Sequence, residues 1–240
     1  MRAAAAGHDL LLVCHTRARQ REAHAALLDA YRNDALPLRG LEQSAARLDA
    51  LQARRAARFD TGPPRPERDG ETLAKALATR AVTPVTPPSA AFSRALNGRV
   101  VAVFPRLSSL ADRITIEDAM LDEARFVTQA LAPYGIEPVV EVVSVEPNEA
   151  EIARTAAAAR GADATILFLY DAHLYPSNRA LLDALQKAAP ALGVVLMRDP
   201  WDAEYLAPGA VGITAYGWRR CQLDAALTRL LAPARATVGA

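Results

Sequence analysis

The chain has 240 residues, of which 51% are hydrophobic, 23% charged and 5% aromatic, enough for one or two domains with a real core. Its 28 Lys+Arg against 27 Asp+Glu leave a formal net charge of +1, which argues against a nucleic-acid or membrane-surface partner because neither finds a basic footprint. Two cysteines, Cys14 and Cys221, exclude a disulfide framework or an all-cysteine metal site, and no run approaches the roughly 18 apolar residues of a membrane span.

Residues 9–14 (DLLLVC) form a short apolar run between Gly7-His8 and His15-Thr16, the pattern of a buried strand. Thr16 is placed to cap a helix reaching Asn33, with Ala23, Leu27, Ala30 and Tyr31 on one face. A second helix is expected over 41–58, where Leu41, Ala45, Leu48 and Leu51 recur at helical spacing. One strand makes no sheet, so this opening block belongs to something larger. FDTGPPRPERDG (59–70) has three prolines and two glycines and reads as a linker. A short helix over 71–80 and the proline-rich AVTPVTPPSA follow. The expected division is an opening block over 1–58, a linker with a short helix over 59–97, and a domain over 98–233.

In that last part, strand-like runs at 99–104, 138–145, 164–170, 193–197 and 211–216 alternate with helical patterns at about 117–132, 149–160, 178–189 and 218–231. Asn148 with Glu151 has capping-box spacing, Gly161 sits where a helix-ending glycine belongs, and Ser177 is placed to cap the helix carrying Leu181, Leu182 and Leu185. Such alternation predicts an α/β fold, a three-layer sandwich on a mostly parallel sheet.

Ligands of such sheets bind outside the carboxyl ends of the strands. The residues there are Pro105-Arg106, Glu146-Pro147, Asp171-Ala172-His173, Arg198-Asp199-Pro200-Trp201 and Tyr216-Gly217-Trp218. His173, Asp199, Trp201 and Tyr216 are the candidate binding residues of this edge, since flat aromatic faces beside charged groups suit sugar rings. Each has a plainer reading. His173 beside Asp171 is an acid/base pair or, more commonly, a loop histidine in a structural hydrogen bond. Asp199-Pro200 starts a turn, Asp202 caps a short helix around Glu204, and Trp218 packs beneath the loops. Ser108-Ser109 lacks a G-x-S-x-G elbow, and no G-x-G-x-x-G or Walker-type loop is present. The residues therefore give no complete catalytic set, no cofactor and no metal.

AGHDLLLVCHTRARQREAHAALLDA (6–30) resembles the last barrel strand and helix of the glycoside hydrolase family 3 β-N-acetylhexosaminidases. LEQSAARLDALQARRAAR and AKALATRAVTPV resemble the helix leaving that barrel and the segment entering the second domain. AHLYPSNRALLDALQ, VVLMRDPWDAEYL and GITAYGW resemble the C-terminal α/β sandwich. The resemblance implies that 9–14 is the last strand of a truncated (β/α)8 barrel, and that the chain is a fragment of a bacterial enzyme acting on N-acetylglucosamine-containing cell-wall peptidoglycan. It also implies a retaining mechanism, with an Asp nucleophile and an Asp–His acid/base in earlier barrel segments, so that no catalytic residue maps here. Cys14 and His15 would line the sugar site by their place at a barrel strand's end. The carbohydrate partner would be held by the missing barrel, and the chain would be inactive alone. Any export signal would lie upstream of Met1; the chain itself reads as cytoplasmic, and its oligomeric state stays open.

Overall fold

The structure, a computed structural model, describes residues 1–14, 16–58, 69–87 and 89–235. They fall into two units, Met1–Glu67 and Arg68–Ala240.

The first unit holds a single-turn α1 (Arg2–Ala5), α2 (Arg17–Arg32) and α3 (Leu38–Arg58). Residues 10–14 join no ladder, and Leu10 and Leu12 are 61% and 81% exposed. The expected buried strand is therefore not formed, for the reason its isolation suggests: a strand is stabilised by neighbours, and this unit supplies none among the described residues. The segment is held by side chains instead. Asp9 accepts from Ser44 Oγ at 2.8 Å and from Arg47 Nε at 2.8 Å, and Gln20 Nε2 donates to Val13 O at 3.0 Å. Hydrogen bonds from Arg47 and then Ser44 bring the Asp9 carboxyl down to about 2. Thr16 does sit at the N-cap of α2, without a side-chain bond. Ala30 and Leu36 are buried, whereas Leu41 and Leu51 on the expected face of α3 are exposed.

The second unit is built on a six-stranded sheet of order β1-β6-β5-β4-β2-β3. Its elements are α4 (Gly70–Ala81), β1 (Thr83–Pro84), α5 (Ala90–Ala95), β2 (Val100–Pro105), α6 (Glu123–Leu131), β3 (Val139–Val143), α7 (Glu149–Arg160), β4 (Ala164–Leu169), α8 (Pro176–Ala188), β5 (Leu192–Leu196), β6 (Val211–Thr214) and α9 (Arg220–Arg235). Only β1 is antiparallel, pairing Thr83 with Thr214 and Pro84 with Ile213. Proline is tolerated there because β1 is an edge.

The sheet is covered on both faces, which is why its central strands read as unbroken apolar runs. Ala102, Phe104, Ile166, Phe168, Val195 and Ile213 face Phe126 and Leu131 of α6 and Leu223, Leu227 and Leu230 of α9. Val101, Val103, Leu167, Leu169, Val194 and Leu196 face Ala159 of α7 and Leu181, Leu182 and Leu185 of α8. The three-layer α/β sandwich stands as the sequence predicts.

Residues 59–68 and 88 of the expected linker lie outside the described residues. The rest of 59–97 departs from a linker: Val82, Phe92 and Leu96 are core residues, and β1 extends the sheet. Gly193 makes this possible. A Cβ at that position would lie 2.4 Å from the Phe92 Cζ, so only glycine lets α5 press its ring onto β5. Local signals hold unevenly. The Asn148–Glu151 capping box is present. Gly161 ends α7 at φ −89°, not in the left-handed region, and Ser177 lies inside α8, whose N-cap is Tyr175. The helix expected over 117–132 is broken at Asp122, which caps α6 by accepting from Arg125 N. No helix among the described residues is long and apolar enough to cross a membrane.

Candidate functional site

The chain leaves β2 toward β3 on one side and places β4 on its other side, so the topological switch lies between β2 and β4. The loops after β4 and β5 open beside it. After Leu169 the backbone turns sharply. Asp171 adopts φ 46°, its carbonyl accepts from Leu174 N at 3.0 Å and Tyr175 N at 2.9 Å, and Tyr170 O accepts from the buried Asn178 Nδ2 at 2.6 Å. Asn178 Nδ2 also reaches Val145 O at 2.9 Å, stitching this turn to the loop after β3. Tyr216, after β6, adopts φ 55°. Left-handed backbone at non-glycine residues costs energy and concentrates at functional loops.

The Asp171 side chain is 1% exposed and pairs with Arg198 Nη1 at 2.5 Å. The Arg198 guanidinium stands 6.0 Å from the Tyr170 ring centroid. Tyr170 in turn stacks on Tyr175 at 6.2 Å and meets Trp218 edge-on at 6.3 Å. Burial pushes the Asp171 carboxyl above the usual carboxylate range; the Arg198 charge opposes this and the Asp199 charge adds to it. Burial, followed by the Asp171 charge, likewise pushes the Tyr170 phenol up.

His173 does not pair with Asp171. Its Nδ1 lies 2.8 Å from Asp202 Oδ1, and Asp202, 3% exposed, also accepts from the amides of Ala172 and His173 at 2.8 Å each. Asp202 thus fastens the β4 loop from within a 3₁₀ turn over Trp201–Tyr205, where its position in the sequence suggests a helix cap. A carboxylate on Nδ1 fixes the imidazole and presents Nε2, an arrangement suited to taking up a proton or holding a ligand. Asp199 Oδ1 accepts from Trp201 N at 3.1 Å, the turn-starting role expected of it.

Of the candidates read from the sequence, His173 and Asp199 come together with Asp171; one ligand atom from each lies within 4.8 Å of the others. Trp201 is 69% exposed and Tyr216 42% exposed. No hydrogen bond or ring contact joins Tyr216 to this group among the described residues; Tyr216 O accepts from Gln222 Nε2 at 2.9 Å. Trp218 packs against the core as expected. Cys14 is exposed in the first unit, and His15 lies outside the described residues. Sequence reasoning missed Asp202. Nothing in DPWDAEY marks one aspartate as buried, and the contact spans 29 residues.

No protein-family model matches the sequence, and no curated protein matches it. Solved structures do. A glycoside hydrolase family 3 β-N-acetylglucosaminidase from Paenibacillus sp. str. FPU-7 is similar over 96% of this chain and 44% of its own, with 26% identity and a TM-score of 0.68. A fungal multi-domain family 3 β-N-acetylglucosaminidase matches over 95% of this chain and 26% of its own, with 19% identity and a TM-score of 0.61. The β-glucoside phosphorylase BglX matches over 95% and 42%, with 14% identity and a TM-score of 0.55; these last two likenesses are of fold. The chain spans less than half the length of each. By its elements and by its identity with the first of these structures, the chain is similar to the C-terminal portion of the glycoside hydrolase family 3 β-N-acetylglucosaminidases, and its six-stranded unit has the α/β sandwich of that family's C-terminal domain.

Proposed function

We propose that this chain serves as the C-terminal part of a retaining β-N-acetylhexosaminidase-like glycoside hydrolase acting on N-acetylglucosamine-containing cell-wall sugars, and that it does not hydrolyse them alone. The observation that carries this reading is the 26% identity with the Paenibacillus enzyme across 96% of the chain. Retaining hydrolysis needs one group to attack the anomeric carbon and a second to protonate the leaving oxygen. In the family resembled, those groups belong to barrel segments ahead of the stretch matched by residues 6–30. The role left to this chain is support: the sandwich borders the sugar site, and its sheet edge with His173, Asp199, Trp201 and Tyr216 faces carbohydrate. Incubating the purified chain with a chromogenic β-N-acetylglucosaminide tests this. No release is expected, and release that survives repurification overturns the reading.

A second reading rests on Trp201, whose ring is 69% exposed beside a polar loop. In it the chain is a non-catalytic carbohydrate-binding module. Titration with N-acetylglucosamine or muropeptides, followed through amide chemical shifts, would move the signals of 198–205 and lose that response in Trp201→Ala. Shifts confined to other loops would reject it.

A further inference from the structure

We propose that Asp171, His173 and Asp199 form a binding site for one divalent transition-metal cation at the carboxyl ends of β4 and β5, with Asp202 acting behind the histidine. The site shares His173 and Asp199 with the edge proposed to face carbohydrate, but it does not require the chain to take part in sugar cleavage. The residues read along the sequence give no metal, because the ligands come from two loops that only the parallel pairing of β4 with β5 sets side by side.

Four observations carry the assignment. The three side chains offer two carboxylates and one imidazole within 4.8 Å of one another, a donor set that suits first-row divalent ions. Zinc holds such ligands at about 2.0–2.1 Å, so the group closes slightly on binding, through the half-buried His173 and Asp199 rather than the buried Asp171. Asp202 accepts from Nδ1, which leaves the Nε2 lone pair as the ligand; metal-bound histidines characteristically give their other nitrogen to a carboxylate. Lastly, Arg198 Nη1 engages Asp171 Oδ2, and no hydrogen bond from a described residue reaches Oδ1.

Arg198 has a definite part in this picture. Its guanidinium is the cation that faces the Asp171 carboxylate. The Arg198 side chain is 43% exposed and also hydrogen-bonds Tyr170, so on leaving Asp171 it has solvent and a second partner to turn to. It is a stand-in cation that a divalent ion displaces from Asp171.

The test is calorimetric titration of the chelator-stripped full chain with Zn2+ and, separately, Mg2+ at neutral pH. One Zn2+ site is expected, with Mg2+ far weaker because an imidazole ligand is wasted on a hard cation. Asp199→Asn, at a half-buried turn position, and His173→Ala each weaken zinc at least about tenfold. Arg198→Met, which removes the competing charge, tightens it several-fold, an effect that a merely structural role for the loop would not produce. Circular dichroism confirms the fold of each variant; were His173→Ala unfolded, Asp199→Asn and Arg198→Met still decide. No zinc binding, zinc uptake unchanged in Asp199→Asn, equal affinity for Mg2+, or weaker binding in Arg198→Met would each overturn the site.

Discussion

Asp202 Oδ1 stands 2.8 Å from His173 Nδ1 and 2.8 Å from the amide nitrogen of the same residue. One buried carboxylate therefore fixes both the backbone and the ring of His173 and ties the loop after β5 to the loop after β4. Replacing it by alanine leaves two amide donors without partners in a nearly dry place, and each such donor costs about 1–3 kcal/mol. Asp202→Ala is expected to lose about 2–4 kcal/mol in urea unfolding. An unchanged midpoint would mean that the loop junction is held by something else.

The close approach of Phe92 to Gly193 makes a second prediction. A methyl group on Gly193 would lie 2.4 Å from Phe92 Cζ and 2.9 Å from Cε2, in a face already filled by Phe104, Phe168 and Val195. Gly193→Ala is expected to cost about 1–3 kcal/mol through overpacking. Shrinking the partner removes the clash, so Gly193→Ala costs much less when introduced into Phe92→Leu. Additive costs in a double-mutant cycle would contradict the contact.

Phe92 also marks where the sequence was legible and where it was not. The parallel strands are evident in the sequence as apolar runs, VVAVF and ATILFL being those that burial on both faces forces, and strand–helix alternation fixes the layers. Signals that depend on neighbours absent from a local window were silent. The stretch up to residue 97 reads as linker, yet Phe92 and Leu96 within it are core, and the glycine that admits the Phe92 ring lies about a hundred residues on. The opposite holds for DLLLVC: its apolar pattern specifies a strand, but pattern cannot supply the strands to pair with. At the candidate site the residue types that follow β4 and β5 were readable. The partner of His173 was not, because two aspartates in DPWDAEY differ only in burial.

Glu151 makes a pH-dependent contribution whose sign follows from its surroundings. Burial alone would push its carboxyl up, but hydrogen bonds from the Asn148 amide, the Ser144 amide and the Ser144 hydroxyl hold it below the usual 4.5. A carboxyl depressed by folding stabilises the fold at pH values above its unfolded pKa, and that contribution fades as pH falls through the folded value. Glu151→Gln is expected to cost about 1 kcal/mol at pH 7, the size of a lost capping interaction. The gap between wild type and variant narrows as pH drops below 4.5. A gap that widens toward acid pH would reverse the assignment.

The two tryptophans predict a separable optical signal. Trp201 is 69% exposed, whereas Trp218 packs against the core and meets Tyr170 at 6.3 Å. Wild-type emission therefore sums a solvent-facing component and a shielded one. Trp201→Phe is expected to shift the emission toward the blue and to reduce quenching by iodide, while unfolding stability changes by no more than about 0.5 kcal/mol, as for other surface substitutions. Trp218→Ala does the reverse: the remaining emission becomes red-shifted and readily quenched, and stability falls by about 2 kcal/mol as ring contacts are lost. The pairing of the two effects is what tests the geometry. A large stability loss in Trp201→Phe would place that ring against the protein rather than in water, and with it would go the free aromatic face on which sugar stacking at this sheet edge depends.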